Sequence, residues 1–158
     1  MGGWSTRWDE VRSGRSCPVC EEGRPDEADG RLRVFAGEVL DAYLDRDDGV
    51  RGYTLAFFRG RHVVEPTELA DHEAQRFWRE LLVVARAVEA EYSPVKLNLM
   101  FLGNAMPHLH GHLIPRYRGD PDAGGPPRFM TRPIDRRRVD DAAYLSQVDA
   151  LRRRLGRN

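Results

Sequence analysis

Apolar residues in this chain alternate with polar ones over short stretches and recur at helical spacing over two longer ones. Runs at 32–35, 38–43 and 53–58 have strand character, and Asp47-Asp48-Gly49 between the last two reads as a turn. Pro66 to Asp71 leads into a helix over 72–92, with Asp71 as its N-cap. Phe77, Leu81, Ala85 and Val88 fall at i, i+4, i+8 and i+11, joined by Trp78 and Val84, and Pro94 ends the run. Leu97, Leu99 and Phe101 then alternate as a strand does, and Gly103-Asn104 turns the chain into a following strand, which makes an antiparallel pair. Residues 119–127, rich in Gly and Pro, form a loop. A last helix, capped near Asp140 or Asp141, puts Tyr144, Val148, Leu151 and Leu155 on one face and Arg152 to Arg154 at its negative end. Strands interleaved with two helices predict a single α+β domain with an antiparallel sheet. The expected layout is an N-terminal arm over 1–16, a central domain over 17–135 and a C-terminal helical segment over 136–158.

The densest chemistry lies on the strand after Gly103. His108, His110 and His112, three of the chain's 5 histidines, stand at two-residue spacing in Pro107-His108-Leu109-His110-Gly111-His112-Leu113-Ile114-Pro115-Arg116. On a helix that spacing would scatter the rings, whereas on a strand alternate side chains share a face. Imidazole titrates near pH 6.5, so such rings can attack, bind metal or move protons near neutrality. Metal ligation is the rival to catalysis for this cluster.

Composition narrows the partners. The 158 residues suit one core, and 25 basic against 25 acidic side chains give a net charge of 0. No global field recruits nucleic acid or an anionic membrane, so any nucleotide must be held by a local site. Lys96 is the single lysine, and neither it nor His72 and the Arg136 to Arg138 run is assigned a function. No stretch has signal-peptide or membrane-span character, so a cytoplasmic protein is expected. The 2 cysteines form Cys17-Pro18-Val19-Cys20, a spacing suited to metal chelation or to redox chemistry.

The alternating-histidine segment resembles the active-site motif of the histidine triad (HIT) family of nucleotidyl hydrolases and transferases. Arg51-Gly52-Tyr53-Thr54, Arg61-His62-Val63, Leu97-Asn98, Gly103-Asn104 and the 120–127 loop follow in matching order. Gly111 departs from the pattern, standing where the family has a larger apolar residue. The resemblance implies a dimeric α+β fold, paired through the long helix and an edge strand with Trp78 nearby, in which the histidine strand faces a nucleotide pocket. It makes His110 the nucleophile at an α-phosphorus, forming a nucleotidyl-imidazole that water cleaves. His112 would contact phosphate or orient His110, and Asn104 would reach the same oxygens, although an Asn after Gly also suits a plain turn.

Asn98 occupies a nucleotide-contact position in the family pattern. Asp45 is a candidate for the ribose hydroxyls, with an exposed loop aspartate as its rival. Arg116 is a candidate for phosphate, with a surface ion pair as the alternative. In zinc-containing relatives the cysteine pair joins two histidines, here giving Cys17, Cys20, His62 and His108, a closed four-ligand set for structural zinc. Dinucleoside polyphosphates such as diadenosine tetraphosphate are the leading substrate class, and nucleoside phosphoramidates are next. Phosphorolysis, a zinc-stapled nucleotide-binding or interaction module without turnover, and a metallohydrolase using all three histidines are the competing readings.

Overall fold

The computed structural model describes residues 4, 6–46, 50–127 and 139–156, so the turn expected at Asp47 to Gly49 and the Arg136 to Arg138 run lie outside them. Six strands form one antiparallel sheet: β1 (Glu27–Ala28), β2 (Arg31–Ala36), β3 (Leu40–Leu44), β4 (Thr54–Phe58), β5 (Lys96–Phe101) and β6 (His110–Arg116). Their spatial order is β1-β2-β3-β4-β6-β5, which leaves β5 at an edge.

Two helices, α3 (Asp71–Tyr92) and α4 (Asp141–Leu155), cover one face of the sheet. Alternation decides the faces: Leu40, Ala42, Leu44, Ala56, Phe58 and Leu113 point to the helices and pack with Phe77, Leu81, Val84, Val88, Val148 and Leu151. The intervening residues Tyr53, Leu55 and Ile114, with Phe57 and Met100, line the opposite face. His110 pairs with Phe57 and His112 with Leu55, so both rings project away from the helices.

The expected strands and helices form, with shifts that have local causes. The N-cap of α3 is Ala70 and not Asp71: Ala70 is extended, and Glu73 reaches back to accept its N–H at 2.9 Å, which places Asp71 inside the first turn. The left-handed Ser93 (φ 47°) closes the helix before Pro94. The strand expected from residue 38 starts at Leu40, because Glu80 of α3 accepts the N–H groups of Glu38 and Val39 at 2.8 and 3.1 Å and holds them in a turn. Asp140 caps α4, accepting from Ala142 and Ala143 at 3.0 and 3.1 Å. Tyr144 pins that helix to the sheet, accepting from Leu32 N–H at 2.7 Å and donating to the Leu44 carbonyl at 2.8 Å.

Two short helices were not expected. Within the N-terminal arm, α1 (Trp8–Arg12) buries Val11 against Cys17 and Val19, and α2 (Pro18–Glu21) is the single turn that carries the cysteine pair.

Candidate functional site

His110 and His112 occupy β6 with ring centroids 4.8 Å apart. His108 differs from the expectation of three rings on one surface. It lies before the strand begins, where Leu109 donates to the Val63 carbonyl at 2.6 Å, and its ring turns toward the cysteines. His108 therefore cannot converge with the other two on one catalytic metal, which removes the metallohydrolase reading.

Each ring is set by a partner in the fold. His110 donates from Nδ1 to the His108 carbonyl at 2.7 Å, because a carbonyl can only accept, and this leaves the Nε2 lone pair free. Phe57 stacks on it at 5.4 Å, and burial lowers its pKa, so near neutral pH it is the unprotonated, nucleophilic form. The Nδ1 of His112 lies 2.6 Å from the Tyr53 hydroxyl, and its Nε2 is buried without a hydrogen-bond partner among the described residues. Burial, helped by His110 and by Arg31, brings the His112 pKa down to about 4.

Behind the strand, Gly111 faces the helices. A Cβ there would lie 3.2 Å from Phe101 Cε1 and 3.6 Å from Leu81 Cδ1, so these two side chains fill the space that a larger residue would take.

The second cluster joins four side chains from distant parts of the chain. Cys17 Sγ lies 3.5 Å from His108 Nδ1, and Cys20 Sγ lies 3.6 Å from that nitrogen and 3.5 Å from His62 Nδ1. All four ligand atoms fall within 4.8 Å of one another. Both histidines donate their other nitrogen to a backbone carbonyl, His108 to Phe58 at 2.8 Å and His62 to Arg12 at 3.1 Å, so each presents a bare Nδ1. That is the outer-sphere arrangement a metal-binding imidazole needs, and the four groups could hold a metal ion. Without a cation the Cys20 thiol is costly to ionise: burial and the neighbouring Cys17 push it up to about 11.

A buried charge network supports this knuckle. Asp41, fully buried, accepts from Arg24 Nε at 2.9 Å and Arg59 Nε at 3.0 Å, and Arg59 donates onward to the Val19 carbonyl at 2.9 Å.

The remaining candidates fall in three places. Asn104 is exposed on the turn after β5, and no hydrogen bond joins it to the histidines among the described residues. Asp45 is not an exposed loop residue: its side chain is 7% exposed and accepts from Arg31 Nε at 2.6 Å, and its N–H donates to the Tyr53 carbonyl at 2.8 Å. Arg116 is buried and fully engaged, donating to Asp120 at 2.8 Å, Asn98 at 3.2 Å and the carbonyls of Gly125 and Asp122 at 2.9 and 3.1 Å. It braces the 119–125 loop. Asn98 and Arg116 line a cavity of about 450 Å³ with Lys96, Tyr117 and Arg118.

Sequence reasoning missed Tyr53, Phe57 and the Arg59–Asp41 pair. Tyr53 and Arg59 flank β4, Phe57 lies within it and Asp41 lies in β3, and each acquires its role only through how these strands pair.

Comparison with known proteins gives a consistent answer. The HIT domain profile matches residues 32–119. A Bacillus subtilis (strain 168) protein named Protein hit is 31% identical over 94 residues, a match covering 56% of this chain and 64% of that relative. The chain is similar to a solved histidine triad protein from Bradyrhizobium japonicum, with TM-score 0.70 and 25% identity over 79% of this chain and 90% of that one. It shares its fold with a Zn-bound histidine triad family protein from Mycobacterium smegmatis, with TM-score 0.62 and 22% identity over 90% and 94% of the two chains. No helix among the described residues is long and apolar enough to cross a membrane.

Proposed function

Because the chain belongs to the histidine triad family, we propose that it is a nucleotidyl hydrolase or transferase working through a covalent nucleotidyl-His110 intermediate. The observation that carries this reading is the tautomer of His110. With Nδ1–H tied to the His108 carbonyl, the Nε2 lone pair is directed away from the backbone and is available to attack. Attack forms an N–P bond to the α-phosphorus as the bond to the leaving group breaks. Water then cleaves the N–P bond, or phosphate or another acceptor intercepts it. His112 Nε2 is assigned to the phosphoryl oxygens; it is buried without a hydrogen-bond partner among the described residues, and a phosphoryl acceptor would offset a cost of about 1–3 kcal/mol.

The substrates proposed are dinucleoside polyphosphates of the diadenosine tetraphosphate kind or nucleoside phosphoramidates. Asp45 and Asn98 are assigned to the nucleoside and Asn104 to phosphate. Arg116 is assigned to shaping the adjacent loop, where its guanidinium is already engaged.

Zinc is proposed as the metal at Cys17, Cys20, His62 and His108. Two thiolates and two imidazoles suit its tetrahedral preference, and four protein ligands leave no open position, so its contribution is structural. The protein pairs as a homodimer through α3 and the edge strand β5, where Trp78, Leu82 and Leu99 are about 40% exposed. Incubating the zinc-loaded protein with diadenosine tetraphosphate and with adenosine phosphoramidate, with and without phosphate, tests the assignment. Release of a mononucleotide that is lost in His110→Asn supports it, and turnover that survives in that variant overturns it.

A further inference from the structure

The two nitrogens of His112 meet different surroundings. Nδ1 faces the Tyr53 hydroxyl at 2.6 Å, while Nε2 is buried beside the His110 ring without a partner among the described residues. Tyr53 is placed by construction. It lies two residues before Leu55, the register partner of His112, and its ring runs parallel to the imidazole, at 10° and 6.0 Å between centroids. The preceding Gly52 (φ 81°) makes this possible, since a Cβ there would meet the Tyr92 ring at 2.6 Å.

If both Nε2 atoms of this pair carried lone pairs, both would point at the same anionic phosphate, and one would repel it. A phenol O–H given to Nδ1 leaves the imidazole proton on Nε2, where it becomes a donor.

We propose that Tyr53 is a positioning residue whose hydroxyl holds His112 as the Nε2–H tautomer, so that His112 donates to the phosphoryl oxygens while His110 attacks phosphorus. This rests on the nucleotidyl-transfer reading for its catalytic half alone. Tyr53 transfers no proton. It fixes which nitrogen of His112 bears one.

The test is Tyr53→Phe, which keeps the ring and removes the hydroxyl. Nitrogen-15 NMR of histidine-labelled, zinc-loaded protein without nucleotide reads the tautomers, and the His112 signals are assigned by their loss in His112→Gln. Wild type should show His112 protonated at Nε2, and Tyr53→Phe should show a mixed or Nδ1-protonated ring. With adenosine phosphoramidate, kcat in Tyr53→Phe should fall about tenfold or more, with KM changed less than about threefold, as for loss of a donor to the reacting phosphoryl group.

Nδ1 protonation of His112 in wild type, or an unchanged tautomer in Tyr53→Phe, overturns the proposal. A changed tautomer with unchanged kcat overturns its catalytic half. Should Tyr53→Phe fail to fold, the wild-type tautomer decides by itself. Absence of a His110 adduct in wild type would overturn the nucleotidyl-transfer reading and leave the tautomer result standing, so the two failures are distinguishable.

Discussion

Restoring a large apolar residue at position 111 should destabilise this protein, although the family pattern favours one there. Gly111 points at the helices, and a Cβ would come within 3.2 Å of Phe101 Cε1, 3.5 Å of its Cζ and 3.6 Å of Leu81 Cδ1. Phe101 is only partly buried and has room to yield by a few tenths of an ångström, whereas Leu81 is fully buried. For Gly111→Ala, an overpacking cost of about 1 kcal/mol is offset by about 0.4–1 kcal/mol from the stiffer unfolded chain, because position 111 does not use the left-handed region. The net change should lie within about 0.5 kcal/mol of zero. Gly111→Leu drives three further carbons into Phe101 and Leu81 and should cost about 3 kcal/mol. Combining it with Phe101→Ala should recover at least about 1 kcal/mol in a double-mutant cycle. Equilibrium urea unfolding of the zinc-loaded protein measures all four variants. A Gly111→Leu protein as stable as wild type with Phe101 intact would refute the assignment of Phe101 and Leu81 as the groups that fill this space.

Cys20→Ser should lower bound zinc below one per chain and lower Tm, because binding energy at this site is folding energy. Metal analysis with calorimetry checks it, and full zinc occupancy in the variant would contradict it. Acid should weaken the fold through His112, whose pKa is held at about 4 against an ordinary 6.5. The unfolded chain binds that proton first, so stability is unaffected above about pH 7 and falls between 6.5 and 4 by up to about 1.4 kcal/mol per pH unit. In His112→Gln the pH dependence should be shallower by that amount, and an unchanged slope in urea melts at pH 5 and 7 would refute the depressed value. Light scattering at micromolar concentration should give a dimer, and Trp78→Glu should give a monomer. A wild-type monomer would remove the proposed pairing through α3 and β5.

Much of the fold was legible because it rests on period. The α3 stripe of Phe77, Leu81 and Val88 and the α4 stripe of Tyr144, Val148 and Leu151 are the residues that meet in the core. The four-residue cluster was legible only through the family resemblance: Cys17, Cys20, His62 and His108 converge, although 42 and 88 residues separate Cys20 from the two histidines. Two-residue spacing misled for His108, because a strand pattern does not say where pairing begins, and the backbone leaves the sheet there to bond Val63. Arg116 illustrates the opposite limit. Its charge suggested phosphate, but Asp120 and Asp122, four and six residues on, claim the guanidinium first. Tyr53 lies in the family-like Arg51-Gly52-Tyr53-Thr54 segment, but its contact with His112 exists only because β4 and β6 pair in one register, which that segment does not report.

The central claim is that His110 Nε2 becomes bonded to phosphorus. Zinc-loaded wild-type protein should be mixed with adenosine phosphoramidate or diadenosine tetraphosphate, quenched during turnover in denaturant at alkaline pH, where a phosphoramidate bond to imidazole survives, and digested for mass spectrometry. The account requires a mononucleotidyl mass on the peptide containing His110, fragmenting to that residue, present in wild type and absent from His110→Asn. Active protein that carries no adduct under single-turnover conditions, or an adduct located on His108 or His112, would contradict it.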